Sequence, residues 1–547
     1  MHGYSRLGGA ARSPPSSPRF RHGRSKNGSW NSSKESNSME KLVFILMSAV
    51  FRRRGLLLFA PLLYISGMLL YMGSFSFDVV SIKNGVVLVH KRAPPGSVYR
   101  SPQVFEKLWP LMEAEAANSN NGTGNVLMKA WPSGELREWR PCANRSVPEA
   151  GVCLPFSFHF FDLELPKSNG FLIIEANGGL NQQRLSICDA VAVAGLLNAT
   201  LLIPIFHLNS VWRDSRYLNL ENGQCFIYYV LCADHLYDWQ ARQEFAHACC
   251  RAVRIAPFSN RLAQAVPSKI QRLRCFANFG ALRFSEPIQA LAESMVERMI
   301  KYSSQSGGKY VSVHLRFEED MVAFSCCEYD GGEEEKHEMD IARERSWRGK
   351  FKRKHRIIKP GANRVDGRCP LTPLEVGLML RGMGFDNTTS VYVAAGKIYK
   401  EQKYMAPLKQ MFPRLQTKNT LATPEELAQF MGHSTRLAAL DYTVCLYSEV
   451  FVTTQGGNFP HFLMGHRRYM YGGHAKTVKP DKRKLALLFD NPNIRWKEFK
   501  QQMKDMLRHS DLKGTELKKA GGSVYTFPMP DCMCKQPVLK IENANTT

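Results

Sequence analysis

Three polar loops in the sequence each follow a short apolar run and carry side chains suited to binding phosphate. One of them, residues 314–320, reads His-Leu-Arg-Phe-Glu-Glu-Asp directly after the apolar run Tyr310–Val313. A planar guanidinium such as that of Arg316 can hold phosphate oxygens with two hydrogen bonds and stabilise charge on a departing diphosphate. An ion pair between Arg316 and a neighbouring carboxylate fits the spacing equally well. Metal binding at this run is a weaker third interpretation.

A second loop, residues 177–184, reads Asn-Gly-Gly-Leu-Asn-Gln-Gln-Arg and lies between a predicted strand ending at Glu175 and a predicted helix over Leu185–Leu197. Two glycines at a strand-to-helix turn let backbone N–H groups approach a ligand, and the helix N-terminus favours an anion. Asn181 and Arg184 would add side-chain contacts. The alternative is a tight turn that binds no ligand.

The third loop, residues 453–459, reads Thr-Thr-Gln-Gly-Gly-Asn-Phe and follows the apolar run that begins at Val450. Hydroxyl and backbone N–H groups at such a turn are typical phosphate partners. The alternative is a polar turn before a solvated helix. The basic pair that follows, Arg467 and Arg468, is predicted to be surface charge rather than part of a binding site.

The sequence does not indicate a metal cofactor. It contains no Asp-x-Asp pair, and the acidic run Glu333–Glu335 lies in a charged insertion predicted to be a mobile, solvated loop. Cys532 and Cys534 have no partner pair at zinc spacing, which favours disulfides. Glu175 and Glu318 are candidates for a general base, and neither is assigned.

Five short β-rich runs alternate with amphipathic helical stretches and must position these loops. Runs that are apolar on both faces and separated by helices predict parallel sheets in a doubly wound α/β architecture. Ligands bind such sheets at the carboxyl ends of the strands, which is where the three loops lie. The five predicted strands are Phe171–Glu175, Leu201–Ile205, Tyr310–Leu315, Ser390–Ala394 and Val450–Thr453.

An uncharged apolar stretch of 23 residues, Gly55–Phe77, directly follows three arginines. A helix of about 20 apolar residues crosses a bilayer core, and a basic flank stays on the cytosolic side. Because 54 residues precede the stretch and no small-residue cleavage site follows it, an uncleaved signal anchor is predicted rather than a signal peptide. The expected topology is a single-pass type II membrane protein, with everything after Phe77 in the lumen.

Cysteines, sequons and charge agree with this topology. All 14 cysteines lie at or beyond Cys142, as expected in an oxidising lumen. The net charge of +25 includes 11 Lys/Arg against 2 Asp/Glu in residues 1–54. The remaining positive charge, on the residues predicted to be luminal, suits the binding of acidic glycans or nucleotide-sugar phosphates. No nucleic-acid motif is present. The glycosylation sequons expected in the lumen are at Asn121, Asn144, Asn198, Asn387 and Asn545.

At these loops the sequence resembles the plant branch of the GDP-fucose protein O-fucosyltransferase family, from Trp139 to about Phe499. Several long motifs occur in the family's order, which is more specific than any single loop. Lys397 departs from the pattern, because many relatives carry an acidic residue there. The markers are residues 178–184, residues 314–324, Gly-Arg-Cys-Pro-Leu-Thr-Pro at 367–373, Ala-Ala-Gly at 394–396, Gly-Asn at 457–458 and Gly-His-Arg-Arg at 465–468.

The resemblance implies metal-independent, inverting transfer of fucose from GDP-fucose to a protein or glycan hydroxyl in the Golgi. It also implies a GT-B architecture of two Rossmann-like domains with the sugar donor in the cleft between them. By the family pattern, Arg316 stabilises the leaving diphosphate. The other implied contacts are donor binding by His314, Leu315 and Arg316, cleft lining by Gly179 and Asn181, and phosphate binding by Thr453 and Thr454.

Two alternatives from the sequence stay open. One is a rhamnosyltransferase that uses UDP-rhamnose on a cell-wall polysaccharide; the other is a non-catalytic, membrane-anchored glycan-binding or scaffold protein. The predicted organisation is a cytosolic tail over 1–54, the anchor over 55–77, a stem over 78–135, an N-terminal Rossmann-like domain over 136–300, a donor-binding Rossmann-like domain over 301–510 and a C-terminal tail over 511–547.

Overall fold

The structure is a computed structural model that describes residues 93–118, 139–142, 169–176, 178–202, 205–206, 252–255, 266–351, 358–473, 475–510 and 522–535. The predicted cytosolic tail and the predicted anchor Gly55–Phe77 lie outside these residues. Within them, no helix combines the length and the apolar character needed to cross a membrane.

Strands and helices alternate through most of the described chain. The strands are β1 (Trp139–Pro141), β2 (Phe171–Ala176), β3 (Thr200–Leu201), β4 (Ile205–Phe206), β5 (Ala252–Ile255), β6 (Val311–His314), β7 (Val391–Ala394), β8 (Leu415–Gln416), β9 (Val450–Thr453), β10 (Thr477–Val478) and β11 (Met533–Lys535).

The α-helices are α1 (Ser101–Asn118), α2 (Leu180–Leu197), α3 (Ser268–Phe276), α4 (Glu286–Tyr302), α5 (Glu319–Ser325), α6 (Gly332–Ser346), α7 (Pro360–Val365), α8 (Pro373–Met383), α9 (Glu401–Met411), α10 (Lys418–Leu421), α11 (Pro424–Ala428), α12 (Ser434–Leu446), α13 (Asn458–Met470), α14 (Lys482–Phe489) and α15 (Trp496–His509). A π-helical turn, Ala277–Ala281, continues α3.

A five-stranded parallel sheet has the strand order β10-β9-β6-β7-β8. Its three middle strands are buried along their whole length, as expected for a parallel sheet covered on both faces. Side chains alternate between the faces. Val311 and Val313 pack into one cluster with residues of α1, α8, α9 and α15. Tyr310 and Phe451 pack on the opposite face with residues of α4, α12 and α13.

A second parallel sheet is built around β2, which pairs with β3, β4 and β5. Leu172 and Ile174 of β2 pack against Ala190 and Ala194 of α2. The predicted strand Leu201–Ile205 is wrong in its extent, because β3 ends at Leu201 and β4 begins at Ile205. Both pieces pair with β2. The two parallel sheets with flanking helices confirm the predicted α/β class.

Part of the predicted stem is packed structure. Helix α1 buries Val104, Leu108 and Met112 completely in the apolar cluster that also contains residues of α8 and of the five-stranded sheet. These residues recur every four positions, so they share one face of the helix. The interpretation of this part of 78–135 as a stem rather than a packed domain is therefore wrong.

Residues 522–535, predicted as part of a C-terminal tail, also pack into the fold. Strand β11 pairs antiparallel with β1, and Cys534 forms a disulfide with Cys142. Cys532 forms a disulfide with Cys275, so the preference for disulfides over zinc at these cysteines is confirmed. A third bridge joins Cys327 and Cys369.

The acidic run Glu333–Glu335 forms the first turn of α6 rather than the predicted mobile loop. Carboxylates are stabilised at a helix N-terminus, where backbone N–H groups lack partners. Glu335 is buried and accepts a hydrogen bond from the Gly331 N–H at 2.7 Å. Burial raises the pKa of Glu335 above its ordinary value. A helix N-terminus and a solvated charged loop share this acidic composition, so the sequence alone does not distinguish them.

The motif at 367–373 shapes the start of α8. Thr372 caps the helix: its Oγ1 accepts from the Glu375 N–H at 3.2 Å, and the Glu375 carboxylate accepts from the Thr372 N–H at 3.0 Å. This reciprocal pair satisfies two N–H groups that a helix start would leave unpaired. Gly367 has a φ of +69°, and a Cβ there would lie 3.2 Å from the backbone nitrogen of Arg483. Thr372 and Gly367 of the motif therefore have structural roles.

Replacing Thr372 by alanine should lower the free energy of unfolding by about 1 to 2 kcal/mol, since a buried cap would be lost. Denaturant titration followed by tryptophan fluorescence measures the change. Ser346→Ala, at the exposed end of α6, is the control and should change stability by less than about 0.5 kcal/mol. An unchanged denaturation midpoint for Thr372→Ala would show that the cap does not stabilise the protein.

Candidate functional site

The carboxyl ends of β6, β7 and β9 meet at one edge of the five-stranded sheet. Parallel pairing places His314 of β6 beside Ala394 of β7 and Thr453 of β9. The loops after these strands are 315–318, 395–400 and 454–457. The structure thus brings together two of the three predicted loops and the Ala-Ala-Gly motif, at the edge where parallel sheets bind ligands. These loops form the candidate site.

The two threonines bind within the protein. The Thr454 hydroxyl donates to the carbonyl oxygen of His314 at 2.9 Å, and its oxygen accepts from the Arg316 N–H at 3.4 Å. The Thr453 hydroxyl donates to the Gln455 carbonyl at 3.0 Å. Both threonines are buried. Their hydroxyls hold the loops after β6 and β9 in a defined arrangement.

Arg316 is held by two carboxylates. Its Nη1 lies 2.6 Å from Glu318 Oε2, and its Nη2 lies 2.9 Å from Asp320 Oδ2. Burial opposes its charge, but the two carboxylates raise the pKa of Arg316 above its ordinary value. The side chain is 17% exposed, so part of the guanidinium is accessible. The ion pair considered in the sequence analysis is therefore present, and it orients a permanent cation at the candidate site.

Glu318 connects the loop after β6 to the loop after β7. Its Oε1 accepts from the Gly396 N–H at 3.0 Å. A Cβ at Gly396 would lie 3.0 Å from the same oxygen, so glycine permits the approach. Burial raises the pKa of Glu318, although Arg316 opposes this rise. Lys397, which departs from the family pattern, follows at an exposed position.

Both candidates for a general base are engaged in ion pairs. Glu318 pairs with Arg316, and Glu175 accepts from Arg254 Nε at 2.5 Å. In each case an arginine occupies the carboxylate that would have to take the proton of the acceptor hydroxyl. We assign the role of general base to neither.

His314 is buried and neutral. Its ring stacks on Phe459 with 4.7 Å between the centroids. Burial, with a smaller effect of Arg316, lowers the pKa of His314 to about 3. Within the described part of the chain, its Nδ1 makes no hydrogen bond. A buried polar atom without a partner is costly, so this nitrogen is suited to a hydrogen bond with a ligand.

Helix α2 begins at Leu180 rather than at the predicted Leu185, so residues 180–184 of the loop at 178–184 are helical. Gly179 is the N-cap, and Gly178 has a φ of +93°, a conformation that favours glycine. A Cβ at Gly178 would also lie 2.8 Å from the Gln182 Cβ. Asn181 is buried, and its Oδ1 accepts from Arg184 Nη1 at 3.5 Å.

Arg184 contacts protein groups rather than facing an open surface. Its Nη2 donates to the Asn278 carbonyl at 3.1 Å, and its guanidinium lies 5.0 Å from the centre of the Tyr442 ring. Tyr442 meets Phe459 edge-on at 5.7 Å, and Phe459 stacks on His314. This aromatic row links the loop at 178–184 to the candidate site. The spacing of residues in the sequence does not indicate that Tyr442, which lies on α12, belongs to this row.

The prediction that Arg467 and Arg468 are surface charge is wrong, because both are buried. Arg467 Nη1 donates to the carbonyls of Cys445, Leu446 and Ser448. The last carbonyls of a helix have no partner within it, and Arg467 satisfies those at the end of α12. Arg468 donates to the Thr526 carbonyl at 2.7 Å and so holds the C-terminal segment.

Two of the predicted glycosylation sites fall on described residues. Asn198, at the end of α2, and Asn387 are both exposed, which attachment of a glycan requires. Asn121, Asn144 and Asn545 lie outside the described residues. In the ranges that the structure describes, no cluster of three or more His, Cys, Asp or Glu side chains is arranged to hold a metal ion.

Comparison with known proteins identifies the family. Residues 171–470 match the family described as GDP-fucose protein O-fucosyltransferase. O-fucosyltransferase 9 of Arabidopsis thaliana is 60% identical to this chain, over 98% of each chain. Protein ESMERALDA 1 of the same plant is 52% identical, over 96% of this chain and 94% of its own. The chain belongs to the GDP-fucose protein O-fucosyltransferase family and is a glycosyltransferase of that family.

A search of solved structures finds NodZ α-1,6-fucosyltransferase soaked with GDP-fucose, with a TM-score of 0.32 and 10% identity. The match covers 55% of this chain and 92% of the NodZ chain. This score is too low to support an inference, so the assignment depends on the sequence relatives.

Proposed function

We propose that the protein transfers fucose from GDP-fucose to a hydroxyl of a protein or glycan, with inversion at the anomeric carbon and without a metal ion. Family membership supports the activity. The structural observation that carries the proposal is Arg316, a permanent cation oriented by Glu318 and Asp320 at the carboxyl edge of a parallel sheet.

In this reaction the acceptor hydroxyl gives its proton to a base, and its oxygen forms a bond to the anomeric carbon of fucose while the bond from that carbon to the phosphate oxygen breaks. The electron pair of the broken bond leaves with GDP, so negative charge grows on the diphosphate. Arg316 would donate hydrogen bonds to the phosphate oxygen of the broken bond. Water is largely excluded there, and hydrogen bonds to a charged group are strongest in such a site. The buried Nδ1 of His314 and the turn at Thr453 and Thr454 would line the donor site beside it.

The proposal includes a GT-B arrangement of the two sheets and a Golgi type II topology. Two separate parallel sheets with flanking helices support the first. The apolar stretch 55–77 and three disulfides support the second, because disulfides persist in the secretory pathway. Immunolocalisation of the tagged full-length protein tests the compartment. Staining outside the Golgi would contradict it.

Donor use tests the proposed reaction. Full-length protein in detergent micelles is incubated with GDP-fucose, GDP-mannose, UDP-rhamnose or UDP-galactose, and nucleotide release is measured with and without EDTA. We expect release of GDP from GDP-fucose in preference to the other donors, and no loss with EDTA.

Preference for UDP-rhamnose would overturn the proposed donor and favour a rhamnosyltransferase. Absence of both turnover and donor binding would favour a non-catalytic binding protein. Loss of activity with EDTA that Mg²⁺ or Mn²⁺ restores would overturn the metal-independent mechanism.

A further inference from the structure

The charge around Arg316 does not by itself suit a diphosphate. With both carboxylates ionised, Arg316, Glu318 and Asp320 together carry a net charge of −1. A diphosphate brings further negative charge, and like charges repel most strongly in a partly buried site. A transferase that uses no metal ion therefore needs another cation near this position.

Lys482, the first residue of α14, is placed to supply that charge. Its ammonium donates to the side-chain oxygen of Gln455 and to the carbonyl oxygen of Cys369, the latter at 3.0 Å. Gln455 directly follows Thr454, whose hydroxyl oxygen accepts from the Arg316 N–H. The ammonium is thus held at the turn after β9, where the neighbouring residue Thr454 contacts the backbone N–H of Arg316.

Both partners of Lys482 are neutral. In the ranges that the structure describes, no carboxylate lies within ion-pair distance of its Nζ. An ammonium has three N–H donors, so two acceptors leave one donor and the full charge available. This contrasts with Arg316, which pairs with two carboxylates.

The ionisable groups around Lys482 are engaged elsewhere. Glu375 of α8 forms a buried ion pair with Arg364 at 2.8 Å. Asp481 caps α14 by accepting from the backbone N–H groups of Arg483 and Lys484. The Cys369 sulfur is in a disulfide and does not titrate. Neither Glu375 nor Asp481 therefore forms an ion pair with Lys482.

The turn beside Lys482 leaves room for a ligand. Among the residues that the structure describes, no atom lies within 4 Å of a Cβ built on Gly456 or Gly457, and Gly457 has a φ of +141°. Helix α13 begins at the next residue, so its first N–H groups point toward this turn. A helix start of this kind favours an anion.

We propose that Lys482 binds the diphosphate of the nucleotide-sugar donor and supplies the positive charge that Arg316 lacks once it is paired with Glu318 and Asp320. This inference rests on the proposed function. Arg316 and Lys482 then have different roles. Arg316 orients the diphosphate through its paired N–H donors, and Lys482 supplies the net positive charge that balances it.

The acidity of Lys482 provides a specific test. Burial lowers the pKa of Lys482 to about 8, although Glu375 acts in the opposite direction. The ammonium is charged below that pH and neutral above it. GDP affinity and kcat/KM for GDP-fucose should therefore fall as the pH rises through about 8. Arginine stays charged throughout this range, so Lys482→Arg should remove the fall.

The experiment compares full-length wild type, Lys482→Met, Lys482→Arg and the control Lys484→Met, an exposed position on the same helix. Calorimetry measures binding of GDP and of guanosine, which has no phosphate. We expect Lys482→Met to weaken GDP binding about tenfold and leave guanosine binding unchanged. Lys482→Arg should bind GDP at pH 7 and pH 9 alike, and Lys484→Met should match wild type.

Unchanged GDP binding by Lys482→Met would overturn the inference. If Lys482→Met loses affinity equally for GDP and guanosine, and has a lowered melting temperature that Lys482→Arg shares, Lys482 has a structural role. That result would also overturn the inference. If wild type neither binds GDP nor turns over GDP-fucose, the proposed function fails and the inference fails with it. Normal wild-type activity with unaffected Lys482 variants would overturn the inference alone.

Discussion

Replacing Arg316 by alanine should lower kcat/KM for GDP-fucose by at least about 100-fold while the protein stays folded. Stabilisation of charge on a leaving group contributes roughly 3 kcal/mol or more to the barrier, which corresponds to a loss of this size. Arg316→Lys keeps the charge but loses the planar pair of donors, so its activity should lie between wild type and alanine. Steady-state kinetics and a melting curve for each variant provide the measurement.

The control for this experiment is Arg345→Ala. Arg345 pairs with Glu319 at 2.5 Å, and both side chains are exposed, so the pair contributes little to stability. Its activity and melting temperature should match wild type. If Arg316→Ala instead unfolds the protein, the ion pair with Glu318 and Asp320 is structural. The catalytic assignment would then lose its support.

Replacing Arg467 by methionine should lower the free energy of unfolding by about 3 to 5 kcal/mol, or prevent folding. Arg467 is almost completely buried and donates to carbonyls at the end of α12 and just beyond it, including that of Ser448 at 2.6 Å. Without it, several buried acceptors lose their partner, and each loses a charge-assisted hydrogen bond. Denaturant titration measures the change, or secretion yield where folding fails.

Arg508→Met is the matched control. Arg508 is 67% exposed and pairs with Asp505 one helical turn away. Its removal should change stability by less than about 0.5 kcal/mol. A stable Arg467→Met protein would mean that water or a rearranged helix end replaces the arginine. The assignment of Arg467 as a structural residue would then be wrong.

The parallel sheets were predictable because their strands are short, β-branched and bounded by turn residues. Val450–Thr453 was predicted with the observed bounds, and Phe171–Glu175 was one residue short. Once these strands are parallel neighbours, the meeting of His314 with Thr453 follows from the register. The position of the candidate site was therefore visible in the sequence.

Long-range packing was not visible. Tyr442 lies between Arg184 and Phe459 because three distant helices meet, and no local spacing records that contact. The pairing of Cys142 with Cys534 spans 392 residues. A charged residue such as Arg467 usually lies at the surface, whereas the carbonyls that it binds are buried together only in the folded chain.

The proposed role of Lys482 at the candidate site could not be predicted from the sequence either. A lone lysine at a helix start gives no signal in the sequence, and its partner Gln455 lies 27 residues earlier. The strand ends locate a site in an α/β fold, but its charge balance depends on side chains that arrive from other elements. That balance could be judged only when Arg316, its two carboxylates and Lys482 were seen together.

Hydrogen–deuterium exchange of the full-length protein with and without GDP tests the central claim most directly, because it locates the donor site without knowledge of the acceptor. We predict slower exchange on GDP addition in peptides that cover residues 315–320 and 453–459, with no change in α15. Protection confined to other segments, or none at saturating GDP, would contradict the placement of the donor at the carboxyl edge of the five-stranded sheet.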